Sequence, residues 1–460
     1  MEMLSAGPVH LKFQDGELRY LYVGNKEIVR RVYFAVRDAN WQTPMPVFSK
    51  IDIEKKADSF RIALAATCKS DTVDYAWTGE IVGTADGQIT FSVTGVPQKT
   101  FLSNRIGLCV LYGADSLVGQ TFETLGADGK TVAGQFPELV KMDLVAKDYK
   151  SLKYTVADGM TVTCSLSPIL FTMEDQRNYG DSSFKAYNTV LAGQDAVSGE
   201  KATVTATLKV TGAKAAAPAA GPVRVIVGKE LPGVMTPRID LAKESTGSGN
   251  FLSLGGKRDQ FKDQAEITFG YAPSTHLPDD DTFMENRTGI LWQLKTLHTL
   301  APQAKLHVDP IRLTGNPDPR STGLFAASWA VGAIKYLALG GAAEACFTID
   351  IGPLAEMAHS NKGLPLLTSE VICNGRPPVE VLATLLGTPS GDRRIVMVAN
   401  STNETQKVVV EGLPAGAKGR TLHYAGAPQP ASEDITIGAG GVMLEIGPYA
   451  IGIVTVESQN

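Results

Sequence analysis

The sequence predicts a multi-domain protein of β and α/β structure, with a large N-terminal β-sandwich, a short α/β segment and a small C-terminal β-sandwich. Three patterns predict this fold class. Short stretches with alternating apolar residues fill residues 1 to about 212, and similar stretches recur from about residue 378. Between them, from about residue 265, stretches of strand length alternate with longer helical ones, which is the rhythm of a parallel sheet.

The N-terminal stretches carry the turn signals of hairpins. Asp-Gly pairs occur at 15–16, 86–87, 128–129 and 158–159, and this dipeptide suits the tight turns that join antiparallel strands. Strand-like stretches such as QITFSVTGV and KATVTATLKVTG lie among these turns, and strands at this density predict a large sandwich. The Ala/Pro/Gly-rich stretch 211–223 follows and predicts a linker or a long surface loop.

The central segment contains three predicted strands, EITFGYAP, AKLHVDPIRL and EACFTIDIG. DTFMENRTGILWQLKTLHTL is predicted to form one amphipathic helix. TGLFAASWAVGAIKYLALGG is apolar nearly all round, so we predict a buried helix that ends at the paired glycines. An open parallel sheet leaves unpaired edges, and we expect residues 211–250 or a second subunit to cover them.

Composition and motifs argue against several function classes. A net charge of −5, without any concentrated Lys/Arg run, disfavours nucleic-acid and membrane-surface binding. No apolar stretch approaches the ~18 residues of a membrane span, and the N-terminus lacks a signal-peptide pattern. The five cysteines are far apart, which predicts no zinc or redox pair and favours a reducing compartment, most simply the cytoplasm. P-loop, GxGxxG and GxSxG motifs are missing, so nucleotide and serine-hydrolase sites lose their main support.

Two stretches of the N-terminal part resemble the D-apionate lactonase family. They are DGELRYLYVGNKEIVRRVYFAVRDANWQT and, above all, FTMEDQRNYGDSSFKAY at 171–187, in which Tyr179 stands where a Trp is usual. STHLPDDDTFMEN and LFAASWAVGAIKYLALGG of the central segment also fit the family. The resemblance implies an N-terminal β domain, a central TIM-type barrel, a C-terminal β domain and lactone hydrolysis as the reaction class.

The chain is too short for the complete barrel that this family resemblance implies. A complete (β/α)₈ barrel takes about 250 residues, whereas about 125 lie between Pro237 and Gly363. We therefore expect a truncated TIM-barrel-like α/β segment that lacks its first half. The predicted domains are an N-terminal β-sandwich at 1–225, the shortened barrel-like domain at 226–365 and a C-terminal β-sandwich at 366–460.

The polar part of the family-like segment 171–187 supplies candidates for substrate binding. They are Glu174, Asp175, Arg177, Asn178, Asp181, Lys185 and Tyr187. In an extended chain Asp175 and Arg177 share one face and could pair. One hypothesis is a sugar-acid site, in which Arg177 or Lys185 holds a carboxylate or a lactone carbonyl. The other is an ion-pair network that fixes a domain junction, and the sequence leaves both open.

Carboxylates that follow the central strands are the catalytic candidates, namely Asp280, Asp350 and Glu285. In barrels the carboxyl ends of the strands carry the active site, and a carboxylate there can activate water. The alternatives are structural. Thr282 and Glu285 have the spacing of a helix capping box, and Asp350 could pair with Arg312 or Arg320. His276 and His307 flank the same face without a recognised metal motif, so we predict no metal site and no cofactor.

The sequence thus predicts a sugar-acid lactone hydrolase that uses carboxylate-assisted attack by water. Two alternatives stay open: a non-catalytic carbohydrate-binding or scaffolding relative that has lost half of the barrel, and a glycoside hydrolase with two facing carboxylates. The expected partner is a small-molecule sugar or sugar acid, without nucleic acid or membrane. A homodimer that covers the truncated sheet is a further expectation.

Overall fold

The structure is a computed structural model, which describes residues 1–157, 159–188, 194–213, 221–241, 249–251, 254, 261–273, 277, 279–314, 318–352, 354, 363–388, 391–426 and 430–457. The chain divides into two compact units. Unit 1 comprises Met1–Asp175, Ser183–Pro218 and Asn374–Arg376, and unit 2 comprises Gln176–Ser182, Ala219–Cys373 and Pro377–Asn460. The three predicted domain ranges remain a prediction.

Unit 1 consists of β-strands, as predicted, together with one short helix, α1 (Ala114–Leu117), in the residues that the structure describes. Its strands are β1 Glu2–Ala6, β2 Val9–Gln14, β3 Glu17–Val23, β4 Lys26–Asp38, β5 Pro46–Lys55, β6 Phe60–Lys69, β7 Asp74–Thr84, β8 Gln88–Pro97, β9 Phe101–Gly113, β10 Thr121–Gly126, β11 Thr131–Gln135, β12 Ala146–Ala157, β13 Met160–Ser167, β14 Phe171–Asp175, β15 Ser183–Asn188, β16 Gln194–Ala196 and β17 Ala202–Thr211.

Antiparallel pairing joins these strands into two arms that share β12. One arm runs β1–β2–β3–β4–β9–β15–β14–β12. The other runs β5–β6–β7–β8–β17–β13–β12, and β10 and β11 extend it beyond β12. Strands β4 and β7 are not neighbours in the sheet, yet the rings of Phe34 and Trp77 touch with centroids 5.4 Å apart. Side chains of non-neighbouring strands therefore contribute to one apolar core.

The predicted Asp-Gly turns are present where the structure describes them. Gly16, Gly87 and Gly129 have φ of 79°, 80° and 79°, in the left-handed region that glycine enters without a steric penalty. Each follows an aspartate in a turn between two paired strands. The alternating pattern of the sequence also appears in the structure, because β8 alternates buried and half-buried residues along its whole length. Cys164 on β13 is buried in the core.

Unit 2 has thirteen strands and three α-helices among its described residues. The strands are β18 Val223–Met235, β19 Arg238–Leu241, β20 Glu266–Tyr271, β21 Lys305–Ile311, β22 Glu344–Phe347, β23 Pro365–Ile372, β24 Val379–Thr388, β25 Gly391–Asn400, β26 Gln406–Glu411, β27 Lys418–Tyr424, β28 Ala431–Thr436, β29 Val442–Ile446 and β30 Ile451–Glu457. The helices are α2 Asp280–Glu285, α3 Gly289–Leu300 and α4 Gly323–Leu339.

The predicted parallel sheet is present, but the truncated TIM-barrel-like arrangement is not supported. Strands β19, β22, β21 and β20 pair in that order, all in parallel, and form an open sheet in the part of the chain that is described. Four strands are too few to close a barrel, which needs about eight. At one edge Asn250, the last residue of the range 211–250 that was expected to cover an edge, forms a parallel bridge with Gly270 of β20.

The helix predicted after β20 is broken, which corrects the sequence-based prediction of one continuous helix. A 3₁₀ turn at Asn286–Thr288 separates α2 from α3. The Asn286 carbonyl accepts a hydrogen bond from the Tyr271 hydroxyl, and its side-chain Nδ2 donates to the Pro273 carbonyl at 2.8 Å. These tertiary hydrogen bonds stabilise the 3₁₀ turn that interrupts the helix. Helix α4, in contrast, matches its prediction: it is buried and ends at Gly340.

The remaining strands of unit 2 form a nine-stranded sheet in the order β28-β27-β30-β25-β24-β23-β18-β26-β29. Only the contact of β18 with β26 is parallel among the described pairings of this sheet. A core of buried aliphatic residues, including Val225, Val381, Val396 and Val454, lies inside it. None of the described helices is long and apolar enough to cross a membrane.

Candidate functional site

The family-like segment 171–187 contributes to both units. Strands β14 and β15 belong to unit 1, whereas the residues between them, Gln176–Ser182, belong to unit 2 and begin with a 3₁₀ turn at Gln176–Tyr179. The extended chain that would place Asp175 and Arg177 on one face is therefore absent, because the backbone turns immediately after Asp175. Each part of the segment has its own environment.

Within unit 2, Arg177 is fully buried. Its guanidinium lies 5.3 Å from the centroid of the Trp292 ring on α3, and its carbonyl accepts a 2.8 Å hydrogen bond from Gln293 Nε2. Asp181 accepts a 3.1 Å hydrogen bond from Asn286 Nδ2, and the Ser182 N–H donates to Asn286 Oδ1 at 2.9 Å. This burial favours the structural hypothesis for Arg177, Asp181 and the equally buried Asn178; a substrate-binding role stays a prediction for all three.

Within unit 1, the other four candidates lie on β14 and β15. Asp175 is buried, and its Oδ2 accepts the Lys141 N–H at 2.8 Å, which fixes the preceding loop. Glu174 pairs in register with Lys185 across the two strands. The Tyr187 hydroxyl donates a hydrogen bond to Glu174 Oε1. Burial, followed by this hydrogen bond, raises the pKa of Tyr187 well above its ordinary value.

Tyr187 also belongs to a polar and aromatic face of unit 1 that sequence analysis missed. It lies beside Cys109 of β9, which pairs with Tyr33 of β4, so the three side chains form one row across the sheet. Four residues along the strands, Arg37 and Arg105 form a parallel row of two arginines. Arg31, Tyr33 and Arg37 are separated by even numbers of residues, which puts them on one face of a strand, and this spacing is the signal that could have indicated the face.

The predicted catalytic carboxylates lie in unit 2, at the carboxyl edge of the parallel sheet. Asp280 begins α2 after strand β20, and Arg320 lies in a turn after the adjacent strand β21. Arg320 Nη1 donates to Asp280 Oδ1 at 2.6 Å. The Tyr449 hydroxyl donates to Asp280 Oδ2 at 2.9 Å, so both oxygens of the carboxylate are oriented. The Asp280 side chain is still 46% exposed and thus open to water.

Arg320 is held rigidly between a second carboxylate and two aromatic rings. Its Nη2 donates to Asp318 Oδ2 at 2.6 Å, and its guanidinium carbon lies 4.3 Å from the Phe283 ring centroid and 5.7 Å from that of Phe325. The hydrogen bonds from Arg320 lower the pKa of Asp318, although partial burial opposes this effect. Hydrogen bonding to Asp318 raises the pKa of Arg320 further above its ordinary value. The cation is therefore permanently charged beside Asp280.

Asp350 follows the third strand of this sheet, β22, and approaches the same turn through its backbone. Its N–H donates to the Ser321 carbonyl at 2.8 Å, next to Arg320. Its carboxylate is exposed and accepts the Gly352 N–H at 2.8 Å. The alternative of an ion pair with Arg320 is wrong, because Arg320 pairs with Asp280 and Asp318. Asp280 and Asp350 thus both contact the 319–321 turn, Asp280 through the Arg320 side chain and Asp350 through the Ser321 carbonyl.

Helix capping at α2 also differs from its prediction. Asp279, not Thr282, is the N-cap: its Oδ1 accepts the Thr282 N–H at 3.0 Å, and its Oδ2 accepts the Thr282 hydroxyl at 2.7 Å. Glu285 is the last residue of α2 and is half-buried, so it does not serve as the reciprocal partner of a capping box that starts at Thr282. Its catalytic role stays a prediction.

The histidines that were expected to flank this face do not form a metal site in the part of the chain that the structure describes. His307 lies instead near the amino end of β21, in register with the first residue of β22. His276 lies outside the described residues. His307 Nδ1 lies 3.4 Å from Glu344 Oε2 on the neighbouring strand, and no group of three or more His, Cys, Asp or Glu side chains that could hold a metal occurs among the described residues. Trp329 is core, as predicted, since it is buried and donates its indole N–H to the Phe283 carbonyl at 3.0 Å.

Comparisons with known proteins agree with the resemblance seen in the sequence. A family model for the N-terminal domain of D-apionate lactonase matches residues 1–212, and a model for its C-terminal immunoglobulin-like domain matches residues 378–454. The D-apionate lactonase of Brucella anthropi is 29% identical over 194 residues, which cover 41% of this chain and 31% of that protein. The match therefore spans about a third of the length of this relative.

Solved structures give only distant likenesses. The bifunctional glucanase-xylanase CelM2 from a metagenome library is 12% identical, with 45% of this chain and 48% of that chain covered and a TM-score of 0.36. The GH51 α-L-arabinofuranosidase of Thermotoga petrophila is 13% identical, with 48% and 58% covered and a TM-score of 0.35. Likenesses of this strength do not assign a fold or a function.

Proposed function

Because the chain belongs to the D-apionate lactonase family, we propose that it hydrolyses a sugar-acid lactone at the carboxyl edge of the parallel sheet of unit 2. The observation that supports this location is the Asp280 carboxylate, which is oriented by Arg320 and Tyr449 and remains about half exposed. Oriented carboxylate, fixed cation and access to water are the three things that the reaction needs.

In this proposal Asp280 acts as the general base. It takes a proton from a water molecule whose oxygen attacks the lactone carbonyl carbon, and the Arg320 guanidinium stabilises the negative charge that develops on the carbonyl oxygen. The tetrahedral intermediate then collapses: the bond between the acyl carbon and the ring oxygen breaks, and Asp280 returns its proton to the leaving oxygen. Lactone and water together give one hydroxy acid, so atoms and charge balance.

Asp350 and Glu285 rank below Asp280 as candidates for the general base. Asp350 lies beside the same turn and is exposed, but its carboxylate caps its own loop at Gly352. Glu285 lies at the far end of α2 from Asp280. We therefore rank Asp280 first and keep Asp350 and Glu285 as further candidates. A cytoplasmic location and a homodimer that pairs along the edge strand β19 complete the proposal.

The test is a comparison of two carboxylate variants with the wild-type chain. Release of acid from aldonolactones is followed by pH-stat, and release of nitrophenol from aryl glycosides by absorbance. We expect lactone turnover by the wild type and a loss of at least about 100-fold in kcat for Asp280→Asn, since general-base catalysis contributes about that much. The melting temperature should barely change, because a half-exposed ion pair stabilises a protein by less than about 1 kcal/mol.

Asp350→Asn is the matched control, since it removes a carboxylate at the same sheet edge, and we expect a much smaller loss. Wild-type turnover no faster than spontaneous lactone hydrolysis would favour the non-catalytic carbohydrate-binding alternative. Turnover of glycosides without lactones would favour the glycoside hydrolase. Full activity of Asp280→Asn would move catalysis away from this carboxylate.

A further inference from the structure

We propose that unit 1 carries a binding site for the carboxylate of a sugar acid, formed by Trp41, Arg37, Arg105 and Tyr187. The site lies on the face of β4, β9 and β15 described above. It requires only binding and uses residues of unit 1 alone, so it goes beyond the proposed hydrolysis and does not depend on it.

Two neighbouring cations without a counter-ion are the first observation. Arg37 and Arg105 lie opposite each other on adjacent strands, an arrangement in which like charges repel. No carboxylate among the described residues forms an ion pair with either of them, although Arg31 on the same face is paired with Glu17. The Nε atoms of Arg37 and Arg105 are buried and have no hydrogen-bond acceptor within the described part of the chain. Buried donors of this kind favour an anion, and guanidinium groups bind carboxylates with two parallel hydrogen bonds.

The orientation of Arg105 is the second observation. Its guanidinium carbon lies 3.2 Å from the ring centroid of Tyr187 and 5.4 Å from that of Trp41. Arg105 is 7% exposed, so cation–π contacts of this kind act in a largely dry environment, where they are strongest. Glu174 accepts a hydrogen bond from the Tyr187 hydroxyl, and no ion pair joins it to Arg105 among the described residues. The cation is thus held in a fixed position without being neutralised.

The third observation is the conformation of Trp41. Its φ is 65°, in the left-handed region that bulky residues rarely adopt, and its side chain is 51% exposed. Such backbone strain persists only when the surroundings enforce it, and it occurs preferentially at functional positions. An exposed indole in a strained conformation, next to a buried cation, is poorly explained by core packing.

The loop that holds Trp41 is built to enforce this conformation. The buried Asp38 carboxylate accepts the N–H groups of Asn40 at 2.8 Å and Gln42 at 2.9 Å through Oδ1, and the Thr72 hydroxyl at 2.9 Å through Oδ2. Asn104 Nδ2, from the strand that carries Arg105, donates to the Ala39 carbonyl at 2.8 Å. This hydrogen bond connects the loop that carries the Trp41 indole to β9, the strand that carries Arg105.

These groups specify the chemistry of the ligand. Two guanidinium groups select a carboxylate, and the exposed indole supplies an apolar surface for the C–H groups of a sugar chain or ring. A sugar acid carries both features, whereas a simple carboxylate lacks the second and a neutral polyol lacks the first.

Calorimetric titration of the full chain with D-gluconate tests the proposal, with D-sorbitol and acetate as matched compounds. We expect saturable binding of gluconate at one site and at least about tenfold weaker binding of the other two, since a charged hydrogen bond contributes roughly a factor of ten or more. Trp41→Ala and Arg37→Gln alter residues that are only partly buried, and each should weaken gluconate binding about tenfold. Arg61→Gln, which removes an exposed arginine of β6 in the same unit, should bind like wild type.

Circular dichroism and the melting temperature establish that each variant is folded. Asp280→Asn should bind gluconate normally whether or not it hydrolyses lactones, which separates this site from the proposed catalytic one. Absence of saturable gluconate binding overturns the proposal. So does equal affinity for gluconate and sorbitol, or unchanged affinity in both folded Trp41→Ala and Arg37→Gln.

Discussion

The Tyr449 hydroxyl donates a hydrogen bond of 2.9 Å to Asp280 Oδ2, across 169 residues of sequence. Tyr449 lies between β29 and β30 and has a φ of 51°, again in the left-handed region. Its ring meets that of Phe325 at a centroid distance of 4.9 Å, and Phe325 lies beside Arg320. The loop between the last two strands thus positions the carboxylate that begins α2.

Removing this hydroxyl should impair the proposed reaction more than the fold. Tyr449→Phe keeps the ring contact with Phe325 but removes the hydrogen bond, which stabilises the protein by about 1 kcal/mol. We expect kcat for lactone hydrolysis to fall about tenfold with KM nearly unchanged, because the Asp280 carboxylate becomes less well oriented. Steady-state kinetics measure this effect. An unchanged kcat would show that the hydrogen bond has no positioning role.

Glu380 should be among the most sensitive positions for stability. This carboxylate is buried in unit 2, where Lys335 Nζ donates to it at 2.7 Å and the Tyr336 hydroxyl at 2.9 Å. Glu380→Gln leaves the half-buried Lys335 without its counter-charge, and breaking a buried pair in this way costs about 3–5 kcal/mol. Urea unfolding measures the loss. Glu404→Gln, at an exposed position, should unfold at the same urea concentration as wild type.

The same residue predicts how stability depends on pH. Burial alone would raise the pKa of Glu380, but attraction by Lys335 and Arg287 outweighs burial and lowers it to about 2. Since an unfolded glutamate titrates near about 4.3, the stabilisation is complete above about pH 5 and is lost as the pH falls towards 2. This pH-dependent stabilisation amounts to about 3 kcal/mol, because one unit of pKa difference corresponds to about 1.4 kcal/mol. Urea unfolding between pH 7 and 3 should show a shallower acid dependence for Glu380→Gln than for wild type; parallel curves would contradict this origin.

The N-cap of α2 offers a smaller and more local test. Asp279→Ala removes the acceptor of two hydrogen bonds from Thr282 and should lower the free energy of unfolding by about 1 kcal/mol. Asp279→Asn keeps a capping side chain and should lose only a few tenths of a kcal/mol. Thermal unfolding distinguishes the two variants. Equal losses would mean that charge near the helix start, rather than capping, stabilises α2.

Arg177 distinguishes the two hypotheses for the family-like segment. Because Arg177 is fully buried over Trp292, Arg177→Ala should destabilise the chain by about 3–5 kcal/mol. Lys295→Ala is the matched control, since Lys295 approaches the same ring at 4.9 Å from an exposed position and should have almost no effect. Chemical denaturation measures both. A stable Arg177→Ala variant with weakened substrate binding would favour the sugar-acid site instead.

Local patterns of the sequence predicted most of the secondary structure. The alternation in β8, the Asp-Gly turns and the apolar helix α4 all act over a few residues, so the sequence displays them directly. The prediction of a single helix across Asn286 was wrong, because the Asn286 carbonyl accepts a hydrogen bond from the hydroxyl of Tyr271 on β20. Local periodicity contains no information about such a tertiary contact.

Only part of the candidate site could be predicted, for the same reason. Asp280 and Asp350 follow parallel strands, and the rule that such strands end at one edge predicted both at this edge, where each contacts the 319–321 turn. The ion pair with Arg320 and the hydrogen bond from Tyr449 depend on contacts over 40 and 169 residues. The row of Arg37 and Arg105 depends on the register between β4 and β9, which no pattern in either strand fixes alone.

The placement of residues 176–182 limits how this chain can be dissected. They follow β14 and precede β15, yet they pack within unit 2. There the Ser182 N–H donates a hydrogen bond to Asn286, and the Arg177 carbonyl accepts one from Gln293. A recombinant fragment that ends at residue 212 lacks Asn286 and Gln293, so the Ser182 amide and the Arg177 carbonyl lose these hydrogen bonds. The Arg177 guanidinium, which is fully buried in the whole chain, becomes exposed to solvent. Residues 176–182 therefore gain these contacts only after ribosomal synthesis has delivered α3 and the 3₁₀ turn before it.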